Sequence, residues 1–149
     1  MVVPRQLVDQ FRRMKMLMNN RQGWLEQAAM ADFMSSGEFN RHLRRIRQLY
    51  RERRDALLNA LERHFGKCEK FGDQAGMHLV WKLPEGLPDA SIVEAKGLAA
   101  GVGVCSLATG SALRFDQQDK DDRLLMLGFV ALTEKEIEEG ITNLAIALK

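Results

Sequence analysis

FNRHLRRIRQLYRERRDALLNALERHF, residues 39–65, is the stretch whose reading decides the fold. Its apolar residues fall at Phe39, Leu43, Ile46, Tyr50, Leu57, Leu61 and Phe65. Steps of three and four set them on one stripe of a helix. A gap at Arg53 and Arg54 interrupts the stripe, with Leu49 and Ala56 beside it, and no proline or glycine breaks the run. At the rise of an α-helix such a segment is about 40 Å long. It reads as a spine that packs a compact domain at one end and leaves part of its length for another surface.

Downstream, Gly66 supplies a left-handed stop. Cys68 to Phe71 reads as a short strand, and Gly72-Asp73-Gln74-Ala75-Gly76 as a turn. Met77, Leu79, Trp81 and Leu83 then alternate with His78, Val80 and Lys82, the period of a strand. After a break at Pro84-Glu85-Gly86-Leu87-Pro88, a helix begins at Asp89 or Ser91, where Ser91 and Glu94 have capping-box spacing, and ends at Gly101. Val102, Val104 and Leu107 are expected to form the next strand, and Leu113 to Asp122 a polar loop. The apolar run Leu124 to Val130 is expected to be a strand buried on both faces. Thr133 and Glu136 make a second capping box ahead of a helix whose buried face is Ile137, Ile141, Leu144 and Leu148.

Upstream, Pro4 opens a helix carrying Leu7, Phe11, Met14 and Met18, closed by Asn19, Asn20 and Gly23. A second helix is expected from Trp24 to Met34, and Ser36 is placed to cap the spine. This methionine-rich surface is either core against the spine or a surface for another domain or chain. The division expected is a helical lead-in over residues 1–36, for interdomain or subunit contact, and an α+β domain over residues 37–149. The α+β domain is a layer of three or four strands with helices packed mainly on one side.

Composition bounds the function. Hydrophobic residues make up 46% and charged residues 28%, ordinary for a globular chain, and a net charge of +2 points to no global polyanion partner. The charge is uneven: seven arginines between Arg41 and Arg54 face a C-terminal set of acids that includes Asp116, Asp119, Asp121, Asp122, Glu134, Glu136, Glu138 and Glu139. No apolar run approaches the length that spans a bilayer and no secretory signal pattern opens the chain, so a cytoplasmic protein with reduced Cys68 and Cys105 is expected.

Catalytic constellations are few. His42, His64 and His78 have no ligand spacing, and Cys105 has no histidine near in sequence to act as its base. Gly101-Val102-Gly103 is too short for a phosphate loop, and Asp116 to Asp122 lacks the glycine and terminal glutamate of a calcium loop. The arginines of the spine read as a solvated or interdomain face rather than a nucleic-acid site, since no stacking platform or helix-turn-helix accompanies them.

Several segments together resemble one family. They are Leu25-Glu26-Gln27-Ala28-Ala29-Met30-Ala31-Asp32-Phe33, then His42 to Arg54, Ala75-Gly76-Met77-His78-Leu79-Val80, Gly101-Val102-Gly103-Val104, Leu127-Gly128-Phe129-Val130-Ala131-Leu132 and Glu136-Ile137-Glu138-Glu139-Gly140. The chain resembles the C-terminal, small subdomain of the aminotransferase-like domain of MocR-type regulators in the GntR superfamily. The resemblance implies the small subdomain of a fold type I aminotransferase, within a parent that joins a winged helix-turn-helix DNA-binding domain to a large pyridoxal phosphate domain. On that reading the chain is an effector-binding and oligomerisation part, with no catalytic residue and no cofactor of its own. DNA is contacted only through the missing domain, no membrane is engaged, and a homo-oligomer, such as a dimer, is expected. The resemblance also places Met126 at the position where the family carries an arginine that forks onto a substrate carboxylate; methionine cannot make that fork. Two alternatives stay open: a fragment of a true pyridoxal phosphate-dependent aminotransferase, and a nucleic-acid-binding module built on the arginine helix.

Overall fold

The structure, a computed structural model, describes residues 3–19, 23–74, 76–107 and 122–149. They fall into two compact units, Met1–Arg45 and Ile46–Lys149. Expectations for Asn20, for Ala75 and for residues 108–121, including most of the acidic loop, lie outside the described residues.

In the first unit, a 3-10 turn over Arg5–Leu7 leads into helix α1 (Val8–Asn19), followed by α2 (Trp24–Ser35) and the first turns of α3 (Glu38–Phe65). Pro4 stands at the N-cap of the turn, where its missing N–H is no loss. Gly37, at φ 79°, makes the corner into α3. The Ser36 hydroxyl accepts from the Glu38 N–H at 3.4 Å, a long and weak cap. Phe33 meets Phe39 edge-on at 5.9 Å and His42 at 6.0 Å. Most of the apolar side chains of α1 and α2 are exposed, Leu17, Met18 and Trp24 by three-quarters or more.

The second unit begins within α3. Leu57, Ala60 and Leu61 are buried there, and the helix stops at Gly66, φ 78°. β1 (Glu69–Phe71) and β2 (His78–Lys82) form a hairpin, α4 (Ala90–Ala99) crosses back, and β3 (Cys105–Ser106), β4 (Leu124–Gly128) and α5 (Glu134–Ala147) complete the unit. The sheet is antiparallel in the order β1-β2-β4-β3, with Leu79 opposite Leu127, Trp81 opposite Leu125 and Ser106 opposite Leu125.

One face of this sheet carries the core. Leu79, Trp81, Leu125 and Leu127 point into it and meet Leu57 and Leu61 of α3, Val93 of α4, and Ile137, Ile141 and Leu144 of α5. Phe65 lies on Trp81 with ring centroids 4.9 Å apart. The Trp81 indole N–H is buried without a full hydrogen bond, and its polar neighbour is the Cys68 thiol. Burial is the main influence on that thiol and raises its pKa, against the smaller opposite pull of the indole.

Three local expectations are corrected. β4 is not buried on both faces: Leu125 and Leu127 are buried, Leu124 and Met126 are half-buried, and Gly128 is exposed. An unbroken apolar run does not by itself distinguish a two-sided strand from a one-sided one. Val102 and Val104 precede the strand instead of forming it, because the Val102 N–H is taken by Gly97 O at 2.8 Å in the α4 stop. The Ser91–Glu94 box does not form; Asp89 is the N-cap of α4, and Glu94 instead accepts from the Ser106 N–H at 3.2 Å, tying α4 to β3. The Thr133–Glu136 box does form, with both reciprocal bonds.

Candidate functional site

Two surfaces of the second unit carry chemistry. The first is the face of the sheet turned away from the core. Alternation along the strands puts Phe71, His78, Val80, Lys82, Cys105, Leu124 and Met126 on it. Met126 stands in register between Val80 and Cys105. Its neighbours are half-buried aliphatic groups and a thiol, so this patch offers an apolar contact and no fixed charge. The His78 ring covers Gly128, where an added Cβ would be 3.5 Å from its Cδ2. The Lys82–Glu69 pair at 3.2 Å closes one edge.

Arg123 lies on the opposite face from Met126 and is committed elsewhere. Its guanidinium donates to Leu83 O at 3.3 Å, to Leu87 O at 3.2 Å and to Pro84 O. It fastens the Pro84–Pro88 loop, which explains why a cation sits beside an apolar strand. Cys105 is half-buried, and its sulfur donates only weakly, at 3.7 Å, to Ser106 O. Among the described residues no three His, Cys, Asp or Glu side chains group as metal ligands, and no helix is long and apolar enough to cross a membrane.

The second surface is a cleft of about 330 Å³ between α3 and the turn joining β1 to β2. Arg47, Tyr50, Arg51 and Arg54 form one wall; Asp73, Gln74 and the flanking Gly72 and Gly76 form the other, and Phe129 also lines it. The positions 47, 50, 51 and 54 share one face of the helix. Gly72 and Gly76 have φ of 75° and 104°, which lets the turn fold tightly against it. Arg54 donates to Asp73 O at 3.0 Å and pairs with Asp55 at 2.7 Å. Next to it Arg53 donates to Val130 O. The gap in the apolar stripe is thus where two arginines bind backbone carbonyls of neighbouring loops. Sequence reading missed both roles, since a carbonyl acceptor leaves no residue-type signature. Among the described residues, Arg47 and Arg51 have no hydrogen-bond or ion-pair partner.

No protein-family model matches the chain. It is 35% identical over 147 residues to the probable rhizopine catabolism regulatory protein MocR of Rhizobium meliloti, covering 98% of this chain and 29% of that protein. It is 33% identical over 118 residues to aromatic-amino-acid aminotransferase 1 of Thermococcus litoralis, covering 78% of this chain and 27% of the relative. The chain is homologous to MocR/GntR-type regulators and to aminotransferases. Its fold superposes on the crystal structure of a multiple substrate aminotransferase from Thermococcus profundus with a TM-score of 0.78 at 25% identity, over 97% of this chain and 34% of that one. The fold class expected from sequence, α+β as in fold type I aminotransferases, is the one found. The chain spans about 30% of the length of the curated relatives named.

Aminotransferase relatives imply pyridoxal phosphate. The described residues of this chain do not fit it. A cofactor lysine needs a sheltered amine in a cleft. Here Lys70, Lys82 and Lys135 are paired with Glu62, Glu69 and Glu139. Lys15, Lys67, Lys96 and Lys149 are exposed, and no lysine lines the arginine cleft.

Proposed function

We propose that this chain is the small subdomain of the aminotransferase-like domain of a MocR/GntR-type transcriptional regulator. Its task is to close one side of an effector site and to contribute to subunit contacts, without transaminase activity of its own. The observation that carries this reading is similarity to MocR along nearly the whole chain, joined to a sheet that packs the core on one face and is only half-covered on the other. The half-covered face around Met126 is the surface offered to an effector. With methionine at that position and Arg123 tied to the Pro84–Pro88 loop, the face suits a ligand that presents an apolar group there rather than a simple carboxylate. The large domain and the DNA-binding domain of the parent would be its partners, in a cytoplasmic homo-oligomer. The cofactor would be held by the large domain.

Two experiments test this. Pyridoxal phosphate added to the isolated chain is expected to give no lysine adduct by absorbance and no transamination of amino acids; either would overturn the non-catalytic reading. The coding sequence ahead of Met1 decides between parents. A winged-helix domain there supports the regulator. Its absence, with an aminotransferase large domain in place, supports the second reading, an enzyme, which the likeness to the Thermococcus aminotransferases favours.

A further inference from the structure

The arginine cleft has no part in the reading above and stands apart from it. We infer that the cleft between α3 and the β1–β2 turn is a binding site for a small, doubly charged oxyanion, a phosphate ester or a dicarboxylate, gripped by Arg47 and Arg51.

Four observations lead there. Arg47 and Arg51 are one turn apart on the same helical face, where two like charges destabilise a helix unless an anion lies between them. Neither has a partner among the described residues, whereas the next arginines, Arg53 and Arg54, are both satisfied by carbonyls, Arg54 also by Asp55. The cleft is built, not incidental: Arg54 clamps the turn to the helix through Asp73 O, so the wall facing the two guanidinium groups is held at a fixed spacing. Its volume of about 330 Å³ is at the lower end of the range for small-molecule sites.

The walls also select. Two planar guanidinium forks match the oxygens of a phosphate or of paired carboxylates, and either group is held best by charge-assisted bonds of this kind. Tyr50 and Phe129 give the ligand's body an aromatic surface, while the Asp73 carboxylate and Gln74 amide on the opposite wall accept from its hydroxyl or ammonium donors. A cleft walled on both sides, with a carboxylate opposite the cations, is a poor seat for a nucleic-acid backbone, which needs an open basic track.

The test is calorimetric titration of the 149-residue chain with glycerol 2-phosphate and, separately, with glutarate, at constant ionic strength. Saturable one-to-one binding of at least one probe is expected, and the tighter of the two tells phosphate from carboxylate recognition. The double variant R47Q/R51Q should weaken that binding by at least tenfold with unchanged far-ultraviolet circular dichroism, because both side chains lie outside the core. The double variant R41Q/R45Q removes the same charge from the other side of α3 and should stay within twofold of the parent chain. No saturable binding of either probe, or equal weakening in both variants, would overturn the assignment.

Discussion

Replacing Gly97 by alanine sets two opposed effects against each other. Gly97 lies in the last turns of α4 and is buried, so the exchange should gain about 1 kcal/mol of helix propensity. The new methyl, however, would stand 3.0 Å from Val102 O, 3.2 Å from Leu144 Cδ1 and 3.4 Å from Val104 Cγ2. Leu144 can turn aside. The carbonyl cannot, because the Val102 N–H is bonded back to Gly97 O at 2.8 Å and the segment is pinned to the helix end. Overpacking of this kind costs about 1–3 kcal/mol, and disturbing the pinned hydrogen bond adds to it. The net expectation for Gly97→Ala is a loss of about 1–2 kcal/mol, or roughly 5–9 °C in Tm for a unit of this size. Gly140 in α5 is the internal control. A methyl there meets nothing closer than Val102 Cγ1 at 4.0 Å, so Gly140→Ala should gain about 0.5–1 kcal/mol. Thermal unfolding followed by circular dichroism reads both. A higher Tm for Gly97→Ala, or a lower one for Gly140→Ala, would refute the steric argument.

Other expectations follow from the same core and caps. Leu61→Ala empties a fully buried position between helix and sheet and should cost about 3 kcal/mol, read as a lower urea midpoint at unchanged slope; a cost under about 1 kcal/mol would mean the site collapses around the gap. Thr133→Ala removes the α5 cap and should cost about 1 kcal/mol in the same assay. The Thr133 backbone N–H, and next its hydroxyl, hold the Glu136 carboxyl below the ordinary range. The stabilisation is therefore present above the unfolded pKa and is lost as pH falls through the folded one. Hydrogen exchange of the first-turn amides of α5 should quicken on acidification relative to its intrinsic rate, and a flat profile would contradict the capping box. Burial holds the Cys68 thiol above its usual pKa, so alkylation of Cys68 in the folded chain should rise at a more alkaline pH than in the denatured chain; coincident profiles would place the thiol in solvent.

Much of the fold was legible because its signals are local. The 3.6-residue stripe of the spine, the two-residue alternation of Met77 to Leu83 and the Thr133–Glu136 pair each report on their own neighbourhood, and each element was found where its pattern lies. What escaped depends on groups distant in the chain. Glu94 had a choice between its own helix start and the Ser106 N–H, and only the packed sheet puts Ser106 within reach. Arg53 and Arg54 looked like a flaw in an apolar stripe until the loops at Val130 and Asp73 were placed against them. The half-covered side of β4 was hidden because Leu124 and Met126 are as apolar as their buried neighbours. Of the candidate site, the sequence could point to Met126 only through resemblance, and its two-sided surroundings only the strand register supplies.

The strand that carries Met126 keeps two separate accounts of its residues. Odd-numbered positions from Leu125 to Phe129 anchor the helices, while Leu124, Met126 and Gly128 look outward. Mutation can therefore rewrite what the outward side meets, one side chain at a time, while the inward side goes on specifying the same architecture. A lineage built on this strand is free to change its chemical vocabulary without first relearning how to fold.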